Sequence, residues 1–249
     1  MNQANKQAVR VALVTGASRR IGAAIAKRLH QAGFKVLIHC HHSSDEAKNL
    51  AALLNQQRPC TALVLQYDLC AEETAKRLIA EAIAWAGQLD LLVNNASIFT
   101  RTELTHFEGS VWDALFTTNV KAPFLVSLEA YPHLAKQQGA IINLTDIHAE
   151  RPLKDYAVYC QTKAALVMQT KALAREFAPQ VRVNAVAPGA IAWPEQANAI
   201  SLELQKEIIA KTPLKRHGDP DFIAQAVLAL VENSFITGQI LAVDGGRSI

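Results

Sequence analysis

The chain has 249 residues, half of them hydrophobic and 19% charged, with a formal net charge of +3. That length admits one large α/β domain or two small ones, and the apolar half is enough for a sizeable core. The mildly basic balance comes without a Lys/Arg run or a basic stripe interleaved with aromatics. This excludes a nucleic-acid binder and suits an anionic ligand.

In chain order, the start Met1–Ala8 is polar and leads directly into a strand, so no signal peptide is expected. Val9 to Thr15 is a β-branched run ending at a glycine, the pattern of a buried parallel strand, and Ile21 to Gln31 has helical periodicity closed by Gly33. The turn between them reads Thr15-Gly16-Ala17-Ser18-Arg19-Arg20-Ile21-Gly22. Gly16 permits a tight turn, Gly22 lets the helix pack close to the sheet, and the backbone N–H groups of Ser18 to Gly22 would then face a diphosphate. The loop is not G-x-G-x-x-G, because Arg20 stands where the middle glycine would fall.

Lys35 to Cys40 is the second predicted strand and Asp45 to Gln57 the second helix. An NAD-binding domain would end that strand in Asp or Glu, to hold the ribose 2′-hydroxyl. Here His39-Cys40-His41-His42-Ser43-Ser44 follows, with no acid before Asp45 and with Arg19 and Arg20 in the neighbouring loop. Hydroxyl, imidazole and guanidinium donors suit a 2′-phosphate, so NADPH is the expected cofactor. A metal site on His39 and His41 lacks evident acidic or cysteine partners, and none is expected.

Ala62 to Tyr67 is a strand, Glu72 to Ala86 a helix and Leu89 to Val93 a strand. Asp68 is either an acceptor for an adenine amino group or a turn aspartate. Asn94-Asn95-Ala96-Ser97 ends the fourth strand, where side-chain amides brace the sheet edge or touch a ribose. A long helical region from Ser110 to Gln137 includes Asn119 and tolerates Pro123 through a kink. Ala140 to Thr145 is a strand closed by Asp146, and the carboxyl end of such a strand is where open α/β sheets bind ligands.

Tyr156 to Phe177 reads as a helix on which Tyr159 and Lys163 stand four apart, hence one above the other on one face. A lysine ammonium beside a phenol favours the phenolate, so a lowered tyrosine pKa and acid/base use are expected; an ordinary half-buried helix pair is the alternative. Val181 to Val186 (strand), Leu202 to Lys211 and Asp219 to Glu232 (helices) and Gln239 to Val243 (strand) complete the chain. Trp193, in the loop Pro188 to Pro194, is either a pocket wall or lid packing. Cys40, Cys60, Cys70 and Cys160 form no C-x-x-C and no zinc spacing. Free thiols in a reducing cytosol are expected, and no apolar run approaches the ~18 residues of a membrane span.

Seven strands alternating with helices predict a single α/β domain over 1–249: a doubly wound, Rossmann-type fold with a mostly parallel sheet. Together the motifs Thr15-Gly16…Gly22, Asn94-Asn95-Ala96, Asn119, Tyr159-x-x-x-Lys163, Pro188-Gly189 and Asp244-Gly245-Gly246 resemble the short-chain dehydrogenase/reductase family across essentially the whole chain. The resemblance implies a catalytic set of Asn119, Tyr159 and Lys163 with a water-linked proton route, cofactor contacts through Asn95, Ala96, Pro188 and Gly189, and tetramers or dimers built on the helices at 110–137 and 156–177, of which a homotetramer is expected.

The departures from the family pattern narrow it further. The family carries serine thirteen residues before the tyrosine, where this chain has Asp146, and N-N-A-G is here N-N-A-S followed by Ile98-Phe99. Those departures resemble the pteridine reductases. The likeness implies that Arg20 contacts cofactor phosphates and lies near a pterin, that Ser97 hydrogen-bonds the pterin, and that Phe99 stacks on it or serves as core. It also implies that His39, His42 and Ser43 fall in the cofactor loop. Reducing a pterin C=N develops no carbonyl oxyanion, so a serine donor is dispensable and a carboxylate can orient Tyr159 or the substrate edge. A carbonyl reductase of the same family, or a cofactor-binding regulator without turnover, are the alternatives.

Overall fold

The computed structural model describes residues 9–193 and 199–249. The polar start Met1–Ala8 and the loop end at Pro194 lie outside them. Strands β1 (Val11–Val14), β2 (Lys35–Cys40), β3 (Ala62–Gln66), β4 (Leu91–Asn94), β5 (Ala140–Leu144), β6 (Arg182–Pro188) and β7 (Ile240–Val243) form one sheet. Its order is β3-β2-β1-β4-β5-β6-β7, and every neighbouring pair is parallel.

The chain winds outward from β1 to β3, then returns to lay β4 on the other side of β1. The carboxyl ends of β1 and β4 therefore diverge at a topological switch point, which opens a crevice there. The central strands β1, β4 and β5 are buried along their whole length because helices cover both faces, and they read as apolar runs.

Alternation along the strands divides the core in two. Val14 and Ile38 point to the face covered by α1 (Arg20–Gln31), α2 (Ser44–Gln57) and α8 (Pro220–Glu232). Leu13 and Leu37 point to the face covered by α3 (Thr74–Ala86), α5 (Ala122–Lys136) and α6 (Ala157–Glu176). The remaining helices are α4 (Gly109–Phe116) and α7 (Leu202–Lys211), and no described helix is long and apolar enough to cross a membrane.

Element ends move by a residue or two from the sequence reading, and one element differs in kind. The region 110–137 is not one helix: α4 runs into a π-helical turn, Thr117–Lys121, before α5 begins. Pro123 has no N–H for the carbonyl four residues back, and its ring would press on that carbonyl of Asn119. Widening the turn ahead of the proline relieves both. The kink is thus a π turn centred on Asn119, with Pro123 in the first turn of the following helix.

Candidate active site

The crevice at the carboxyl ends of the strands is a cleft of about 1200 Å³. That exceeds the ~300–1,000 Å³ usual for a single small ligand and gives room for two bound molecules. Every sequence-predicted site residue lines it except Asn119.

At one end the first loop is built for close approach. Gly16 has φ +60°, and a Cβ there would lie 2.9 Å from Ala96 Cα; one on Gly22 would lie 2.3 Å from the Gly16 carbonyl oxygen. The Asn95 amide nitrogen donates to the Thr15 and Gly16 carbonyls, both at 2.9 Å, while Thr15 Oγ1 accepts from Asn95 N and Ala96 N. Of the two roles open to these asparagines, bracing is what the side chains do: Asn94 likewise spans to Asn143 Oδ1 at 2.9 Å. The first turn of α1 has no side-chain cap on its N–H groups, which leaves them to the cleft.

His39 is buried between this loop and β3. Its Nδ1 accepts from Gly16 N at 3.2 Å, so Nε2 carries the proton and donates to the Tyr67 carbonyl at 3.1 Å. Burial pushes its pKa down to about 4, which keeps the ring neutral. His39 therefore braces the loop and brings no charge to a phosphate, and both ring nitrogens are occupied without a metal. His42, Ser43 and Arg19 remain at the cleft edge, Ser43 at the N-cap of α2. Asp68 accepts from Cys70 N at 2.9 Å, which makes it a turn aspartate that also lines the cleft.

Arg20 occupies the missing glycine's place with φ +54°, a left-handed conformation that costs an L-residue ~1–2 kcal/mol. Its guanidinium reaches across the cleft to the carbonyls of Ala192 (3.0 Å) and Trp193 (2.6 Å). The loop that follows β6 is also fixed at its base, where a Cβ on Gly189 would lie 2.6 Å from Asp244 Cβ. Trp193 packs against His217 with the rings tilted by 31° and their centres 4.2 Å apart.

At the other end stand Tyr159, Asp146 and Lys163. Asp146 ends β5: its Oδ1 caps the short turn Ile147–Ala149 by accepting from His148 N at 2.9 Å, which leaves Oδ2 to accept the Tyr159 hydroxyl at 2.7 Å. Lys163, one turn further along α6, donates from Nζ to the Leu144 carbonyl at 3.0 Å, and its ammonium lies 5.6 Å from the Tyr159 ring centre.

Tyr159 is accordingly not a phenol with a lowered pKa. Burial, and then the Asp146 carboxylate beside its hydroxyl, push its pKa well above the ordinary value. The i,i+4 spacing sets the lysine over the ring, not at the hydroxyl, so its charge does little to offset the carboxylate. The phenol is a held, protonated donor. Lys163 is pushed down to about 8 by its own burial, with Asp146 opposing the shift. If the ammonium form is the working one, activity should fall as pH rises through about 8. Lys163→Arg should move that limb to higher pH, and a kcat/KM profile from pH ~6 to ~10 checks both.

Asn119 does not face the cleft. From the π turn its Oδ1 accepts from Ser97 Oγ (3.0 Å) and Ile98 N (2.9 Å), while Nδ2 donates to the Ile98 carbonyl and to Thr162 Oγ1. With all four bonds made, the side chain ties the loop after β4 to α6. That tie positions Phe99, which meets Tyr159 edge-on at 4.7 Å and stacks on Tyr156 at 4.2 Å and 11°. The sequence reading missed Tyr156, Arg101 and Arg247, all of which line the cleft. Tyr156 opens the predicted catalytic helix, three residues before Tyr159, a signal that could have found it.

A family model described as enoyl-(acyl carrier protein) reductase matches residues 16–248. The 3-oxoacyl-(acyl-carrier-protein) reductase FabG of Staphylococcus epidermidis is 36% identical over 239 residues, covering 94% of this chain and 97% of that protein. Pteridine reductase 1 of Leishmania tarentolae is 33% identical over 282 residues, covering 96% of each. Among solved structures, FolM alternative dihydrofolate reductase 1 from Brucella suis, in complex with NADP, superposes with a TM-score of 0.90 at 34% identity. That match covers 97% of this chain and 96% of the other.

Proposed function

We propose that this chain, which belongs to the short-chain dehydrogenase/reductase family, is an NADPH-dependent reductase of pterins, dihydropterins or dihydrofolate. The observation that carries this reading is the 2.7 Å hydrogen bond from the Tyr159 hydroxyl to Asp146. A carbonyl reductase needs a neutral donor at that place to meet a developing oxyanion, and a carboxylate would repel it. A ring nitrogen that takes up a proton carries no such requirement.

The first loop fits a dinucleotide: Gly16 and Gly22 let it pack tightly on Ala96 and Asn95, and the uncapped N–H groups of the first turn of α1 border the cleft. NADPH, when bound, supplies the hydride for the C=N carbon. The chain's own residues do the rest. Tyr159 lines the cleft with its hydroxyl proton held on Asp146 Oδ2, from which a substrate nitrogen would draw it, and Lys163 locks α6 to the end of β5. Phe99, stacked on Tyr156, lines the cleft beside Tyr159 as an apolar contact for the substrate, Trp193 stands on the loop after β6, and Ser97 and Arg20 lie at the cleft edge as polar contacts.

An NADPH-consumption assay with biopterin, dihydrobiopterin, dihydrofolate and an acetoacetyl thioester side by side tests the proposal. Turnover of the pteridines well above the thioester is expected; the reverse order would establish the carbonyl reading, which the 36% identity to a 3-oxoacyl reductase favours. A regulator without turnover would consume NADPH with none of them.

The cofactor choice makes its own prediction. β2 ends without an acid, and Arg19, His42 and Ser43 line the adjoining cleft, so NADPH should bind at least about tenfold more tightly than NADH. Ser43→Ala should weaken NADPH more than NADH. Titration by nicotinamide fluorescence checks both, and equal affinities would sink the claim.

The surface supports a reading of assembly. On α6 the small residues Ala157, Ala164 and Ala172 are exposed in line with Met168, which is 64% exposed, and Trp112, Phe124 and Leu128 are exposed on α4 and α5. A stripe of that kind suits a second copy of the chain. We expect a homotetramer; sedimentation showing only monomer at micromolar concentration would contradict it.

A further inference from the structure

Outside the machinery just described, the aromatic wall of the cleft continues toward solvent and ends in positive charge. From the Tyr159 hydroxyl outward the order is Tyr159, Phe99, Tyr156 and then Arg101. The Arg101 guanidinium carbon lies 5.9 Å from the Tyr156 ring centre, and its Nε donates to the Tyr156 hydroxyl at 3.3 Å. Lys154 lines the same cleft two residues before Tyr156. Asp155 and Glu103 are near enough for Arg101 to feel their charge, yet among the described residues neither Arg101 nor Lys154 forms an ion pair. Only one of the guanidinium's five N–H donors is occupied by a described partner.

A guanidinium held at the end of an aromatic wall by its Nε leaves its two terminal nitrogens as a fork. That fork matches a carboxylate or a phosphate. We propose that Arg101 and Lys154 form an anion subsite at the cleft mouth, which takes a negatively charged substituent carried by a pteridine bound in the cleft beside Tyr159. The proposal rests on the pterin reading, and within it distinguishes a pteridine with an anionic side chain from a small neutral one. Glutamate carboxylates and a phosphate ester are the two sources of that anion. The anion would sit on the far side of Tyr156 from Tyr159, so the subsite acts on binding and not on the proton.

The test uses two pairs of substrates that differ only in the anion: dihydrofolate against its glutamate dimethyl ester, and dihydroneopterin monophosphate against dihydroneopterin. With the full chain and NADPH at low salt, the charged member of at least one pair should have a kcat/KM about tenfold higher, through KM. Which pair shows the preference identifies the source. Arg101→Gln should bring that ratio to about two, Lys154→Gln should lower it by a smaller step, and 0.5 M salt should compress it in the wild type. Arg101 is exposed, so the variant is expected to fold, and its melting temperature would confirm that.

Reduction of all four compounds with no preference in either pair would overturn the subsite alone. A preference that survives both substitutions would do the same. Reduction of none of the four would overturn the pterin reading and the subsite with it.

Discussion

Tyr159→Phe is expected to lower pteridine reduction by about a thousandfold while NADPH affinity changes by no more than a fewfold. The substitution removes one oxygen and keeps the ring, so the edge-on contact with Phe99 and the packing of the α6 N-terminus persist. What goes is the proton that the hydroxyl holds beside Asp146. Lys163 offers no substitute, since its ammonium is turned to the Leu144 carbonyl. Single-turnover reduction followed by NADPH absorbance separates the lost chemical step from binding, and a melting curve close to the wild type's would show that the fold is intact. Loss of NADPH binding together with activity would instead make Tyr159 a cofactor-positioning residue.

Asp146→Ser is expected to cost about a hundredfold in pteridine turnover. Serine has one oxygen on a shorter side chain and cannot stand in the places of both Oδ1 and Oδ2, so the hydroxyl loses its fixed direction. The carboxylate's charge also disappears from beside the phenol, which should bring the Tyr159 pKa down toward its ordinary value. Carbonyl reduction should move the other way, because a serine can donate to an oxyanion that the carboxylate repels. The paired result matters more than either half. Full pteridine activity in Asp146→Ser alongside loss in Tyr159→Phe would make the aspartate a bystander.

How much of this was legible in the sequence follows from which forces are local. The buried strands were readable because Val11–Val14 and Ala140–Leu144 must be apolar on both faces in a parallel sheet. The glycine loop and the position of Asp146 were readable too, since a strand end and a turn fix where they point. The Tyr159–Lys163 spacing was read correctly as geometry and wrongly as electrostatics. Periodicity gives the helix face, while the sign of the pKa shift depends on burial and on a carboxylate thirteen residues away.

Asn119 shows the same limit. Its place in a π turn comes from Pro123, and its four hydrogen bonds go to two distant segments, the loop after β4 and α6. Arg20 is the clearest case. No local pattern says that a left-handed arginine at a glycine position will span to carbonyls at 192 and 193.

The central claim is that this site delivers hydride to a C=N carbon and a proton from Tyr159 to ring nitrogen, and isotope transfer tests it most directly. Dihydrobiopterin would be incubated with the enzyme and NADPH deuterated at the transferring position of its nicotinamide, and the product analysed by mass spectrometry and NMR. The account predicts a tetrahydropterin carrying one deuterium on the ring carbon of the former C=N bond. That product should be almost absent with Tyr159→Phe. NADPH oxidation that leaves the pteridine without deuterium, while an acetoacetyl thioester acquires it at the carbinol carbon, would contradict the account.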